Sequence, residues 1–262
     1  MINLNRILAM VLRYTLNMRH SLDRLSDMFY WPLMDLFLWG LTGLYFARLT
    51  TNRPYAVEII LTGVIFWLII WRAQYEITVN LLSELWDKNL VNIFASPLKV
   101  GEWVLSVILF GFLKMIISFI FISIFAFILY RYNIFLYGFY LIPVVTSLLL
   151  TGWTIGFFVS GMLIYYGEKI QTLAWTGAML LAPLSAPYYP LSFLPLWAQK
   201  IAALIPASYI FEGMREILFT GAISYDKLLI SFTLNIIYLM LSLCFFVFMF
   251  NKSRKLGLGR LI

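Results

Sequence analysis

The sequence predicts an all-α integral membrane protein with six transmembrane helices. An amphipathic interface helix precedes them, a short cytoplasmic helix links the second and third, and two re-entrant half-helices precede the last. Three observations predict this. Of 262 residues, 63% are hydrophobic and only 12% charged, against roughly 45–50% and about 25% in a soluble domain. Several apolar runs reach the ~20 residues that a helix needs to cross a bilayer. Five of the nine prolines (Pro183, Pro187, Pro190, Pro195 and Pro206) crowd one stretch that a continuous helix would not tolerate.

The N-terminal segment, 1–27, is helical but not a span. Leu4, Ile7, Val11, Tyr14, Met18, Leu22 and Leu25 fall on one side at helical spacing, with Arg6, Arg13 and Arg24 opposite. Such a helix lies at a membrane interface, its arginines toward anionic headgroups or a partner protein. A plain surface anchor is the alternative. The expected spans are 29–46, 57–71, 104–130, 137–166, 171–186 and 228–250, each apolar on nearly all sides. With the N-terminus inside, twelve Lys and Arg, Arg72 and Arg260 among them, fall on the inner side. Six, including Arg53, fall outside, and Lys114 lies within a helix. The bias predicts both termini in the cytoplasm.

Between the second and third spans lies the polar stretch ELWDKNLVNIFASPLKVGEW, 84–103. Read as a helix over 82–94, it carries an apolar stripe of Leu82, Leu85, Trp86, Leu90 and Ile93. Glu84, Asp87, Lys88 and Asn92 form its other flank, and Glu84 and Lys88 stand in the favourable order for a helical ion pair. Pro97 and Gly101 end the pattern. The helix either docks into a groove of another protein or is a solvated connector.

Near the outer end, 196–205 and 208–219 are helical but too short to cross, with Ser208 as a plausible N-cap and Gly221 as a stop. They read as half-helices dipping into the outer leaflet; an extracellular loop is the alternative. Glu212, Arg215 and Glu216 there are expected to pair with one another or face water.

Gly152, Gly156 and Ser160 are small residues four apart, which admit close helix approach, either within one protomer or between two. Lys114 is expected to snorkel toward the cytoplasm, with pairing inside the bundle as the alternative. Asp35 is either a polar residue of a transport pathway or the buried partner of a base. Trp31, Trp39, Tyr45, Tyr188 and Tyr189 either line an aromatic path or form interface belts.

Counting excludes other chemistry. A single cysteine, Cys244, precludes an internal disulfide, and with the single His20 it precludes a Cys/His metal site within one chain. No cleavable signal peptide is expected from the first twenty residues. No G-x-x-x-x-G-K-[ST] phosphate loop occurs.

Three features together resemble the permease subunits of type-2 ABC exporters. One is the order of parts. The second is a Glu, a short helix and a Pro-containing turn before the third span, here Glu84 through Ala95-Ser96-Pro97-Leu98. The third is PLSFLPLWAQKIAALIPASYIFEGMR, 190–215, which follows the family pattern P-L-x-x-L-P-x-W-x-x-x-(apolar)-P-x-x-Y. The Gly-Thr that often follows the family Glu is Lys88-Asn89 here.

The resemblance implies one permease domain over 1–262. Its parts are the interface helix (1–27), spans 1–2 (29–76), a coupling helix (82–97), spans 3–5 (104–186), a re-entrant outer region (190–221) and span 6 (228–250). It implies an ATP-driven export role for a glycan, lipid or drug in a plasma membrane, bacterial inner membranes being the expected setting. The expected partners are two copies of an ABC ATPase subunit and a second permease, a homodimer, with no nucleic acid. This chain would bind no cofactor; ATP and Mg would be held by the ATPase. Glu84, Leu85, Trp86, Asp87, Lys88 and Leu90 would contact that subunit, with Arg6, Arg13 and Arg24 flanking. A secondary transporter is the main alternative and would show paired broken helices in both halves. An intramembrane enzyme would need clustered acid–base groups, which the sequence does not group.

Overall fold

The computed structural model describes residues 2–49 and 56–257. Arg53 and Arg260, used in the charge count, lie outside the described residues. Among these residues every regular element is helical: α1 (Leu4–Arg19), α2 (Leu22–Leu49), α3 (Ala56–Trp86), α4 (Leu90–Ala95), α5 (Val100–Tyr130), α6 (Leu141–Tyr166), α7 (Thr172–Thr176), α8 (Ala182–Ser185), α9 (Leu196–Ala202), α10 (Pro206–Thr220) and α11 (Tyr225–Lys255). Four helical stretches are long and apolar enough to cross a membrane: Val57–Trp86, Val100–Tyr130, Ile134–Ile170 and Tyr225–Lys255. The expected first span lies in α2, which is long enough but is not one of these four.

The axial element is α3. Its most apolar window is 72% buried, against 17% for that of α11. It packs on α2, α5 and α6, and α6 packs in turn on α11. At 1.5 Å per residue it is about 46 Å long, against ~30 Å of hydrocarbon. This corrects the expected second span, 57–71: the helix runs fifteen residues further, to Trp86. Arg72 is consequently a mid-helix residue and leaves the inner-loop charge count without reversing its sign.

Two apolar cores stack along α3. One includes Leu61, Ile65, Phe66, Ile69, Leu148 and Phe211. The other includes Ile77, Leu81, Leu85, Leu90, Trp103 and Phe246. Between them lies a polar waist, where Arg72, Gln74, Glu76 and Thr78 are all buried.

Two sets of buried side-chain to backbone hydrogen bonds shape the bundle. Pro32 inside α2 has no N–H to give the Met28 carbonyl. The Ser118 hydroxyl of α5 donates to that carbonyl instead, at 3.1 Å. The second corrects the expected fifth span, 171–186, which is not one continuous helix but α7, α8 and short 3-10 turns. Gln74 Nε2 donates to the Ala174 carbonyl at 2.8 Å, while its Oε1 accepts from the Ala178 N–H at 3.2 Å. The amide thus takes the place of the helical bond between those residues, a recognised cause of a kink. Thr78 adds a second donor to Ala174, at 2.7 Å.

Helices α6 and α11 are tied by buried polar groups. Asn235 donates to the Ser147 carbonyl and accepts from Thr151, both at 2.9 Å, and Ser147 and Ser231 share a hydrogen bond of 2.7 Å. The small residues of α6 face α3 of the same chain. A Cβ on Gly152 would stand 2.5 Å from the Ala73 Cβ and 2.6 Å from the Ile70 carbonyl oxygen, and one on Gly156 would stand 3.0 Å from Ile77. Ser160 is buried further along the helix, its hydroxyl without a hydrogen-bond partner among the described residues.

Gly152→Leu should therefore force α3 and α6 apart and destabilise the chain by about 1–3 kcal/mol, the usual range for overpacking. Gly101→Ala, where an added Cβ meets nothing within 4 Å, should leave thermal unfolding in detergent unchanged or slightly higher. Equal melting of both variants would contradict this packing.

Candidate functional site

The segment between α3 and α5 is a hairpin rather than one helix over 82–94. The Glu84 carbonyl accepts from the Asn89 N–H at 3.0 Å, a Schellman-type ending. Lys88 sits at φ 52°, in the left-handed region, where glycine is at ease and other residues are strained. That is the place at which the resembled family often has glycine. Beyond it, α4 runs for six residues before the Ser96–Pro97 turn.

This geometry divides the six residues expected to touch a partner. Trp86, Asp87 and Lys88 are exposed. Glu84, Leu85 and Leu90 are buried, the two leucines in the inner apolar core. The expected Glu84–Lys88 pair does not form. Arg13 instead grips Glu84 through both guanidinium nitrogens, at 2.7 and 2.8 Å, and Asn89 Nδ2 adds a bond of 3.0 Å.

Helix α1 also holds the other arm. Glu102, fully buried at the start of α5, accepts from the Asn3 and Lys99 N–H groups at 2.9 Å each. Arg6 lies 3.5 Å from Glu102 and donates to the Pro97 carbonyl at 2.6 Å. Between these anchors, Trp103 Nε1 donates to the Tyr14 hydroxyl at 3.0 Å. Arg6 and Arg13, each about one third exposed, thus reach the hairpin of the same chain, while Leu4, Leu8, Leu12 and Leu16 are exposed. The helix ends at Arg19, so Arg24 belongs to the first turns of α2 rather than to the interface helix.

The polar waist holds a second charge cluster, which sequence reasoning missed. Arg72 bonds the Asp27 carboxylate at 2.8 Å and also donates to the Asp27 carbonyl. Glu76 stands 3.5 Å from Arg72 and 2.5 Å from Lys114. Lys114 is thus a buried partner and does not snorkel. Two acids and two bases balance, as burial demands. The signal available in sequence was Arg72 and Glu76 four apart in a helix with a lysine in the next span.

A groove of about 500 Å³ opens beside this cluster. One wall is a ridge of α2 with Asp23, Asp27, Trp31 and Asp35 four residues apart; the other is Trp67, Trp71 and Tyr75 of α3. Trp175, Met179 and Tyr188 close it. Trp39 continues the α2 ridge and stacks on Tyr188, centroids 4.5 Å apart and planes at 11°. Asp35 is exposed, and among the described residues it makes no ion pair, so it is not the partner of a base. Tyr45 and Tyr189 lie outside the lining: Tyr45 packs edge-on against Phe46, and Tyr189 donates to the Pro183 carbonyl at 2.6 Å.

At the other end, α9 and α10 form two short helices. Pro206 opens α10, so Ser208 is not its N-cap; its hydroxyl donates to the Ala202 and Ile205 carbonyls at 2.6 and 2.7 Å, joining the pair. Gly221 ends α10 with φ 78°. Arg215, buried, pairs with Glu212 at 3.0 Å and donates to the Ala186 carbonyl at 3.0 Å. Glu216 accepts from the Ser224 hydroxyl and from Lys227, which hold its carboxyl down at about 2.

Glu76→Gln should cost about 3–5 kcal/mol, the usual result of removing one partner from a buried pair. Adding Lys114→Met should recover much of that loss, measured as thermal unfolding of the purified chain. A double variant no more stable than Glu76→Gln would contradict the pairing.

No curated protein matches the chain. Residues 11–219 match the ABC-2 type transporter family, and that stretch contains the hairpin, the polar waist, the groove and both short outer helices. A hairpin braced by α1, in an all-helical chain with several membrane-spanning helices, fits the permease component of an ABC transporter, and by that match the chain belongs to the ABC-2 type transporter family.

Proposed function

We propose that this chain is the permease of an ATP-driven exporter, worked by a separate ATPase subunit through the hairpin between α3 and α5. The observation that carries this reading is the bracing of the hairpin on both arms by α1, with Trp86, Asp87 and Lys88 left exposed at its bend. A solvated connector has no need of two separate charge-assisted anchors. The contact surface is Trp86, Asp87, Lys88 and Asn92; Glu84, Leu85 and Leu90 act from inside, fixing the hairpin to the bundle.

In the proposed cycle, two ATPase copies bind ATP and Mg, close, and push the hairpin of each permease. The push reaches α3 and α5 directly and α1 through Arg13 and Arg6. An outward path then opens between two copies of this chain, with the groove of α2 and α3 as each copy's share of it. Such a change requires contacts that differ between the two states. The topology that fits is one permease domain crossing six times in a plasma membrane. Its crossings include α2 and the segmented 171–186 stretch, both termini are cytoplasmic, and α9 and α10 dip into the outer leaflet.

A photo-crosslinker in place of Trp86 should capture an ABC ATPase in cells. Exchanging the charges of Asp87 and Lys88 should lower transport-linked ATP turnover about tenfold while the chain remains folded. Capture of no ATPase, together with undiminished coupling in the charge-exchanged variant, would overturn the assignment.

A further inference from the structure

We propose that the groove between α2, α3 and Trp175 takes a lipophilic organic cation, such as a bulky quaternary or aromatic cation. This rests on the permease reading and names its substrate class. The volume of about 500 Å³ lies inside the roughly 300–1,000 Å³ of small-molecule sites. Its walls carry indole and phenol rings, whose faces attract cations; Arg72 already lies over two of them, 5.0 Å from the Trp71 centroid and 5.7 Å from that of Tyr75. The Asp35 carboxylate stands among them without a base. Trp71 adds an indole N–H that is buried and has no hydrogen-bond partner among the described residues.

Charge decides between candidate classes. The described lining holds three carboxylates (Asp23, Asp27 and Asp35) and no Lys or Arg. The neighbouring base, Arg72, is committed to Asp27 and Glu76. A phosphate-bearing lipid or polymer would meet repulsion from Asp23 and Asp35, on either side of the Arg72-paired Asp27. A neutral glycan would find rings and acceptors but few donors beyond Ser26, Tyr75, Tyr188 and indole N–H groups. A hydrophobic cation matches both the rings and the unpaired carboxylate.

The test uses the full chain in lipid nanodiscs with radiolabelled tetraphenylphosphonium. Radiolabelled tetraphenylborate, of the same shape and opposite charge, is measured in separate samples and should show no saturable binding, and a maltooligosaccharide serves as competitor. Saturable phosphonium binding above empty nanodiscs is expected, untouched by the sugar. Asp35→Asn should weaken it at least tenfold with unchanged melting, Asp35→Glu should keep most of it, and Trp71→Ala should lose more than Trp71→Phe. Absence of saturable phosphonium binding, unchanged affinity in Asp35→Asn, or displacement by the sugar would overturn the proposal. If any of these occurs while the chain still co-purifies with and stimulates its ATPase, the cation inference falls and the permease reading stands. Loss of ATPase association would count against the permease reading itself.

Discussion

A carboxylate buried near the C-terminal end of an axial helix must be paired, and the pairing of Glu84 decides how the hairpin end of this protein is built. Its partner, Arg13, comes from α1, so α1 has to lie across the hairpin. The same helix reaches the far arm through Asn3 and Arg6 at Glu102 and Pro97. Each charge-assisted bond of this kind contributes about 1.5–3 kcal/mol, less where Arg6 and Arg13 remain partly in water. The consequence is mechanical. Helices α1, α3 and α5 are tied to one another around the hairpin, so a load on it reaches all three, and through Phe94 and Phe250 it also reaches α11.

The polar waist is the second constraint, and it divides stiffness from freedom. Below it, aromatic packing of Trp103 on Phe246 and Phe94 on Phe250 locks the hairpin to α11. Alongside it, the 171–186 stretch is helical only in pieces, and Gln74 takes the place of its backbone bond between Ala174 and Ala178. Segmented helices re-aim more readily than continuous ones, since fewer cooperative backbone bonds must be broken. The groove lies where the segmented stretch meets α3, with Trp175, Met179 and Tyr188 on its far side.

Much of this was legible in the sequence, and what was not has physical causes. Composition fixes the membrane class, and the proline cluster marks the break before the last span. The position of the hairpin follows from the polar run, and the apolar pattern of Leu85, Leu90 and Ile93 does mark one core-facing surface, although a left-handed Lys88 rather than a continuous helix brings it together. The length of α3 was hidden because Arg72, Glu76 and Glu84 read as an exit from the bilayer; in the fold they are buried by partners far along the chain. The break at Ala174 depends on Gln74, a hundred residues earlier. The α2 ridge was in plain view as Asp23, Asp27, Trp31, Asp35 and Trp39, but it crosses the expected boundary near residue 28, whereas the chain actually breaks at His20 and Ser21.

The central claim is that α1 and the hairpin move as one body when the ATPase closes. Distances between spin labels test it most directly, in the assembled complex with Cys244 replaced by serine. One pair joins Asn5 on α1 to Asn92 on α4, and the other joins Asn92 to Tyr166 at the inner end of α6. On trapping with ATP, the first distance should stay within its nucleotide-free distribution while the second shifts. A first distance that moves while the second stays fixed would contradict the account.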